Sequence, residues 1–275
     1  MAGIVRGIIQ DVSREFAGGS VGSSLADTIQ HTVGDGGQQT AGAAPVLYQA
    51  PAPGSGTPPA SPTPTRRDQL QSAYNINIEK GDKEWSDEEL KHLEKALSSL
   101  SREEKNALRG YHFIRWTSSA ARLAVDPTYK NAQDEGGLLE ADLKAKSFKI
   151  SLYDKGFADP EATSDMVYGV DKGQFTIMHE MGHAMAIAET RDKYDAYAKS
   201  PTDAAEQQMT ASQGRAETEL EKMMKGHTRP TEYANTNKHE LFAEMFAVYK
   251  ANPKYLQDTQ PKVFNWFQNG KFFKK

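Results

Sequence analysis

Apolar residues recur at every fourth position near the start of the chain: Ile4, Ile8, Val12 and Phe16, with Val5 and Ile9 beside them. That spacing predicts an amphipathic helix. Leu25, Ile29 and Val33 repeat it in a shorter piece, so residues 1–34 read as an N-terminal helical segment. Such helices either pack on the rest of the chain or dock in another protein's groove. The pattern then stops. Residues 35–66 mix Ala, Gly, Ser and Thr with proline, and seven of the thirteen prolines lie between Pro45 and Pro64. A stretch of this kind buries too little apolar surface to offset its ordering entropy. It reads as a linker, or alternatively as a proline-rich ligand.

Patterning resumes over residues 67–275. "YNINIE" (Tyr74 to Glu79) alternates as a strand does. "WSDEELKHLEKALSSL" opens on Ser86 with Glu89 three residues later, a capping box, and carries a helical stripe of Leu90, Leu93, Leu97 and Leu100. Ser101 with Glu104 starts another helix. "GYHFIRW" reads as a strand or a buried turn. "SFKISLY" sets Phe148, Ile150 and Leu152 against Ser147, Lys149 and Ser151, the alternation of a half-buried strand. "FTIMHEMGHAMA" (Phe175 to Ala186) is apolar nearly all round and predicts a buried helix. A charged helical region follows to about Lys225, then a break at Gly226 to Pro230, then a last helical pair from about Lys238. The fold class expected is α+β, mainly helical with a small sheet.

Composition narrows the class of function. Hydrophobic residues make up 37% of the 275 residues, and mean hydropathy is -0.69. This fits a globular part joined to a polar one. A net charge of -4 gives no footprint for nucleic acid. With no cysteine, disulfides, thiolate ligands and a cysteine nucleophile are excluded. No run approaches the roughly 18 apolar residues of a membrane span. The start of the chain lacks the continuous apolar core of a secretory signal, so secretion, if it occurs, is expected without a cleaved signal peptide, from a cytoplasmic pool.

The chemistry lies in the buried helix. His179 and His183 are four apart and share one face, and Glu180 follows the first. Two imidazoles so placed can hold one Zn²⁺, and the adjacent carboxylate can act as general base on water that the metal acidifies. Gly182 allows another chain or a substrate to come close. A third ligand must come from further on. In "EYANTNKHELFAEMFAVY" (Glu232 to Tyr249), Glu240 and Glu244 are four apart on a second apolar helix. Glu240 is the candidate ligand, and Glu244 the group that orients an imidazole through its outer nitrogen. His239 is the rival ligand. Tyr233, in the turn before that helix, is either an oxyanion donor or an ordinary packed tyrosine.

"HEMGHA" followed by "YANTNKHELFAEMFAVY" resembles the catalytic domain of the anthrax lethal factor family, zinc metallopeptidases of the gluzincin type. The segment from Pro261 to Phe273 also resembles the end of that domain. The likeness spans about Lys172 to Lys274, extends less clearly from Tyr74, and is absent before Arg66. It implies a zincin-like metallopeptidase domain over residues 67–275. In it, His179, His183 and Glu240 bind zinc, Glu180 is the base and Tyr233 stabilises the oxyanion. It implies a protein or peptide substrate paired as an added strand, for which Ser147, Lys149 and Ser151 supply the candidate edge. The charged stretch between His183 and Tyr233 departs from the family, so specificity does not carry over. Family members that are secreted toxins suggest an exported bacterial effector, delivered by a secretion or injection apparatus that reads residues 1–64. Two other functions fit the same residues: an inactive, zinc-stabilised binding module recruited through its N-terminal helices, and an intracellular peptidase whose linker is processed or inhibitory.

Overall fold

A computed structural model of the protein describes residues 63–126, 129, 136–158 and 169–273. The helical segment expected over residues 1–34 and the linker as far as residue 62 lie outside the described residues. Helix α1 (Arg66–Tyr74) opens the described chain, started by a capping box between Thr65 and Asp68. Tyr74 therefore ends a helix, and the strand expected from it begins later, as β1 (Asn77–Lys80). Helices α2 (Asp87–Ser98) and α3 (Arg102–Ala107) start at the two serines expected to cap them. In each, the serine hydroxyl accepts from the glutamate's amide, and the glutamate carboxylate accepts from the serine's amide. The leucine stripe of α2 is buried along its length.

The sheet is completed by β2 (His112–Arg115), β3 (Gly137–Asp142) and β4 (Ser147–Leu152). Helix α4 (Ser119–Val125) follows β2, and the short α5 (Asp154–Phe157) follows β4. Strand order is β1-β2-β4-β3, parallel except for the antiparallel β3–β4 pair. This corrects the expected edge strand. Ser147, Lys149 and Ser151 lie on β4, which is paired on both sides. Tyr153 N–H donates to Gly136 C=O, and Trp116 N–H to Leu152 C=O. By the alternation of an antiparallel ladder, the amides and carbonyls of Ser147, Lys149 and Ser151 face β3 and are already used. Of their side chains, Ser151 is fully buried and accepts from Arg122 Nη1 of α4 at 2.9 Å, while Ser147 and Lys149 are half-buried. Among the described residues the outer strand on this side is β3. There, Gly137, Leu139 and Ala141 turn their backbone groups away from β4. At the other rim, Gln71 Oε1 already accepts from Ile78 N–H of β1.

Arg115, fully buried at the end of β2, ties this end of the sheet together. Its Nε and Nη2 donate to Glu89 Oε1 at 3.1 and 2.7 Å, Nη2 also to Asp154, and Nη1 to the carbonyls of Leu152 and Trp116. A charge taken so far from water is tolerable because every side of the guanidinium meets an acceptor.

The remaining helices are α6 (Lys172–Ala186), α7 (Ala188–Lys199), α8 (Asp203–Ser212), α9 (Arg215–Met223), α10 (Lys238–Ala251), α11 (Pro253–Thr259) and α12 (Pro261–Gln268). Single turns of 3-10 helix lie at Tyr233–Asn235 and Lys271–Phe273. The expected last helical pair is thus three helices. Helix α6 packs against α10, α2, β3 and β4, which is why it is apolar nearly all round. Gly182 permits its crossing with α10: a Cβ there would lie 2.8 Å from Ala243 Cα and 3.0 Å from its carbonyl oxygen. The close approach expected at Gly182 is therefore made by this chain's own helix. Behind α10, Phe242 and Phe246 pack into rings from the C-terminal segment, Phe267 and Phe272 among them, at centroid distances of 5.6–6.1 Å. Burial of such rings contributes about 1.5–3 kcal/mol each and holds α10 in place. No described helix is long and apolar enough to cross a membrane.

Candidate metal centre

Helix α6 presents His179 and His183 one turn apart, and their rings meet edge to face at 4.8 Å. Helix α10 brings Glu240 to the same point. Its start is fixed by Asn237, whose side-chain oxygen accepts from the amides of His239 and Glu240 at 2.8 and 2.9 Å. The Nε2 atoms of His179 and His183 are 3.1 Å apart. Glu240 Oε2 lies 3.1 Å from the first and 3.4 Å from the second. All three side chains are buried, and Glu240 Oε2 has no hydrogen bond of acceptable geometry. Tetrahedral zinc with bonds of about 2.0–2.1 Å separates its ligand atoms by about 3.3 Å. The three donors converge at that spacing, and two imidazoles with one carboxylate form a donor set suited to Zn²⁺. The residues present therefore fit the ion.

The electrostatics agree with a cation site. Burial alone would raise the Glu240 carboxyl, but His183 and His179 outweigh it and hold Glu240 below the usual carboxylate range. Burial also opposes protonation of His179, yet Glu240 and Glu244 outweigh it and hold that imidazole well above its ordinary value. At His183 burial prevails, and its pKa is lowered despite Glu240. Positive charge is thus favoured between the two carboxylates.

Glu244 stands where the sequence placed it. Its Oε1 is 2.8 Å from His179 Nδ1, so Nε2 is the nitrogen turned to the other donors. Its Oε2 accepts from the Thr231 hydroxyl at 2.7 Å. His239, the rival ligand, points elsewhere: its Nδ1 is 3.2 Å from Glu217 Oε1 on α9, because the next position on a helix is turned by about 100°. Glu180 is buried under the start of β3, where a Cβ on Gly137 would lie 2.6 Å from Glu180 Cγ and Oε1. The glycine lets the strand come down onto the carboxylate. Tyr233 sits on its 3-10 turn with its ring centroid 5.7 Å from that of His179. Its side is open to solvent, at 54% exposure.

The structure thus brings together His179, Glu180, His183, Tyr233, Glu240 and Glu244, and leaves Ser147, Lys149 and Ser151 within the sheet. Sequence reasoning missed Thr231 and Gly137. The pair Gly136-Gly137 opening a strand is a signal of close backbone approach, whereas a lone threonine in a turn gives none. The chain matches no protein-family model. It also matches none of the curated proteins.

Proposed function

We propose that the protein is a zinc-dependent endopeptidase of the gluzincin kind that its sequence resembles. The observation that carries this reading is the convergence of His179, His183 and Glu240, from two crossing helices, within 3.1–3.4 Å of one another. A zinc ion held there supplies Lewis acidity toward the substrate carbonyl and lowers the pKa of water. Glu180 takes the proton from the attacking water and delivers it to the leaving amine. Tyr233 donates a hydrogen bond from its hydroxyl to the carbonyl oxygen as negative charge develops there. Glu244 holds His179 in the tautomer that leaves Nε2 free to bind.

The substrate is an extended peptide. It pairs with β3, where Leu139 and its alternate neighbours offer backbone donors and acceptors. Gly137 removes the side chain that would otherwise stand between this strand and Glu180. The test uses a diverse peptide library exposed to wild type and to Glu180→Ala, with metal content measured on both. Wild type should cut, and the variant should keep zinc and lose cleavage by about 10³-fold or more. Equal cutting by both proteins removes Glu180 from the reaction, and absence of zinc from both removes the metallopeptidase reading.

A further inference from the structure

Thr231 joins two parts of the candidate site that come from different segments. Its hydroxyl lies 2.7 Å from Glu244 Oε2, and Ala234 N lies 3.1 Å from its oxygen. The directions are fixed by chemistry: a carboxylate oxygen can only accept here, and an amide can only donate. So the one hydroxyl proton goes to Glu244 and a lone pair takes the Ala234 amide. On one side the chain continues through Glu244 to His179 Nδ1. On the other, Ala234 belongs to the turn Tyr233–Asn235 and is fully buried. Arg229 Nη1 donates to the Ala234 carbonyl at 2.6 Å, and Asn235 Nδ2 to the Thr231 carbonyl at 3.4 Å. The turn that carries Tyr233 is therefore pinned at Thr231, and Thr231 is pinned to the carboxylate that orients a metal ligand.

We infer that Thr231 is a positioning residue that couples occupation of the metal site to the order of the Tyr233 turn. This rests on the zinc reading above. Charge withdrawn from the His179 ring strengthens its Nδ1–H bond to Glu244. That fixes the carboxylate and, with it, the threonine and the turn. A hydroxyl that merely capped the turn would order it equally with and without metal. Coupling makes a different demand, because linkage is reciprocal: if zinc steadies the turn, the steadied turn must bind zinc more tightly by the same factor.

The test compares wild type, Thr231→Val and Thr231→Ser as full chains. Zinc is titrated into each metal-free protein against a chelator of known affinity. Amide hydrogen exchange over residues 231–236 is followed with and without the ion, and thermal melts report folding. Zinc should slow exchange of the Ala234 amide by about tenfold in wild type and in Thr231→Ser, and leave it unchanged in Thr231→Val. Thr231→Val should bind zinc about tenfold more weakly, with Thr231→Ser restored. A Thr231→Val turn that answers zinc as wild type does overturns the coupling and leaves the metal site standing. Wild type that binds no zinc overturns both, and the chelator titration alone reports it. Should Thr231→Val fail to fold, wild type still decides: a turn whose exchange ignores bound zinc ends the proposal.

Discussion

Gly137 and Glu180 touch in a way that no larger residue at position 137 allows, with a Cβ there falling 2.6 Å from Glu180 Cγ and Oε1. The neighbour that must yield is the end of a flexible side chain. Gly137→Ala should therefore fold, with a stability change within about 1 kcal/mol. Displacing the proposed general base by a fraction of a bond length is another matter, and kcat should fall by about 10². Zinc affinity should not change. Steady-state kinetics beside a chelator titration checks the split.

Gly182→Ala offers a contrast. Here the added Cβ meets the backbone of Ala243, which cannot swing aside. The helices must separate, at about 1–3 kcal/mol. Because His179 and His183 ride on one and Glu240 on the other, zinc affinity should fall together with the melting temperature.

Tyr233→Phe should leave both the fold and the metal in place. The side chain is largely exposed, so its hydroxyl contributes under about 0.5 kcal/mol to stability. As an oxyanion donor, its loss should lower kcat by about 10²–10³ with little change in KM. Unchanged kcat would make Tyr233 an ordinary packed tyrosine.

Metal removal should destabilise. Zinc at a hundred times its Kd adds about 2.7 kcal/mol to the folded state. Dialysis against a chelator should lower Tm by roughly 5–10 °C, and re-addition of zinc should restore it. Glu240→Ala should abolish this response, since it removes the anionic donor.

Glu89 predicts a pH dependence in a different part of the fold. Burial pushes its carboxyl up, but Arg115, together with the Ser86 amide and Lys83, outweighs burial and holds it below the ordinary value. A carboxyl with a depressed folded pKa stabilises fully above its unfolded pKa, near 4.5, and that contribution is lost as pH falls through the lower folded value. Glu89→Gln should flatten the acid limb of a stability profile between those pH values and lower stability at neutral pH. Denaturant melts taken at a series of pH values would show it.

The features legible in the sequence were those written at short range. Ser86 with Glu89, and Ser101 with Glu104, mark helix starts within four residues. The spacing of His179 and His183 sets two rings on one helical face, and Glu240 and Glu244 repeat it. What the sequence hid depends on partners far along the chain. β4 alternates as a half-exposed strand should, but Arg122 of α4 reaches over its polar face to Ser151. Strand β3 escaped notice because Leu138 and Leu139 are adjacent and break the alternation, and because it begins with Gly137 directly after Gly136, and glycine is a poor strand former. The Thr231–Glu244 bond spans thirteen residues with a turn and a helix start between them.

The asymmetry of the sheet's two rims sets a limit on crowding. At β1 the side chain of Gln71 already occupies an outward amide, while among the described residues β3 has nothing hydrogen-bonded along its outward side. A strand rim with free backbone groups can add a strand from a neighbouring copy, and in the function proposed above it is also the rim that a peptide would use. Two molecules joined there would each occupy the strand proposed for the other's substrate, so turnover per molecule would decline in concentrated solution and recover on dilution.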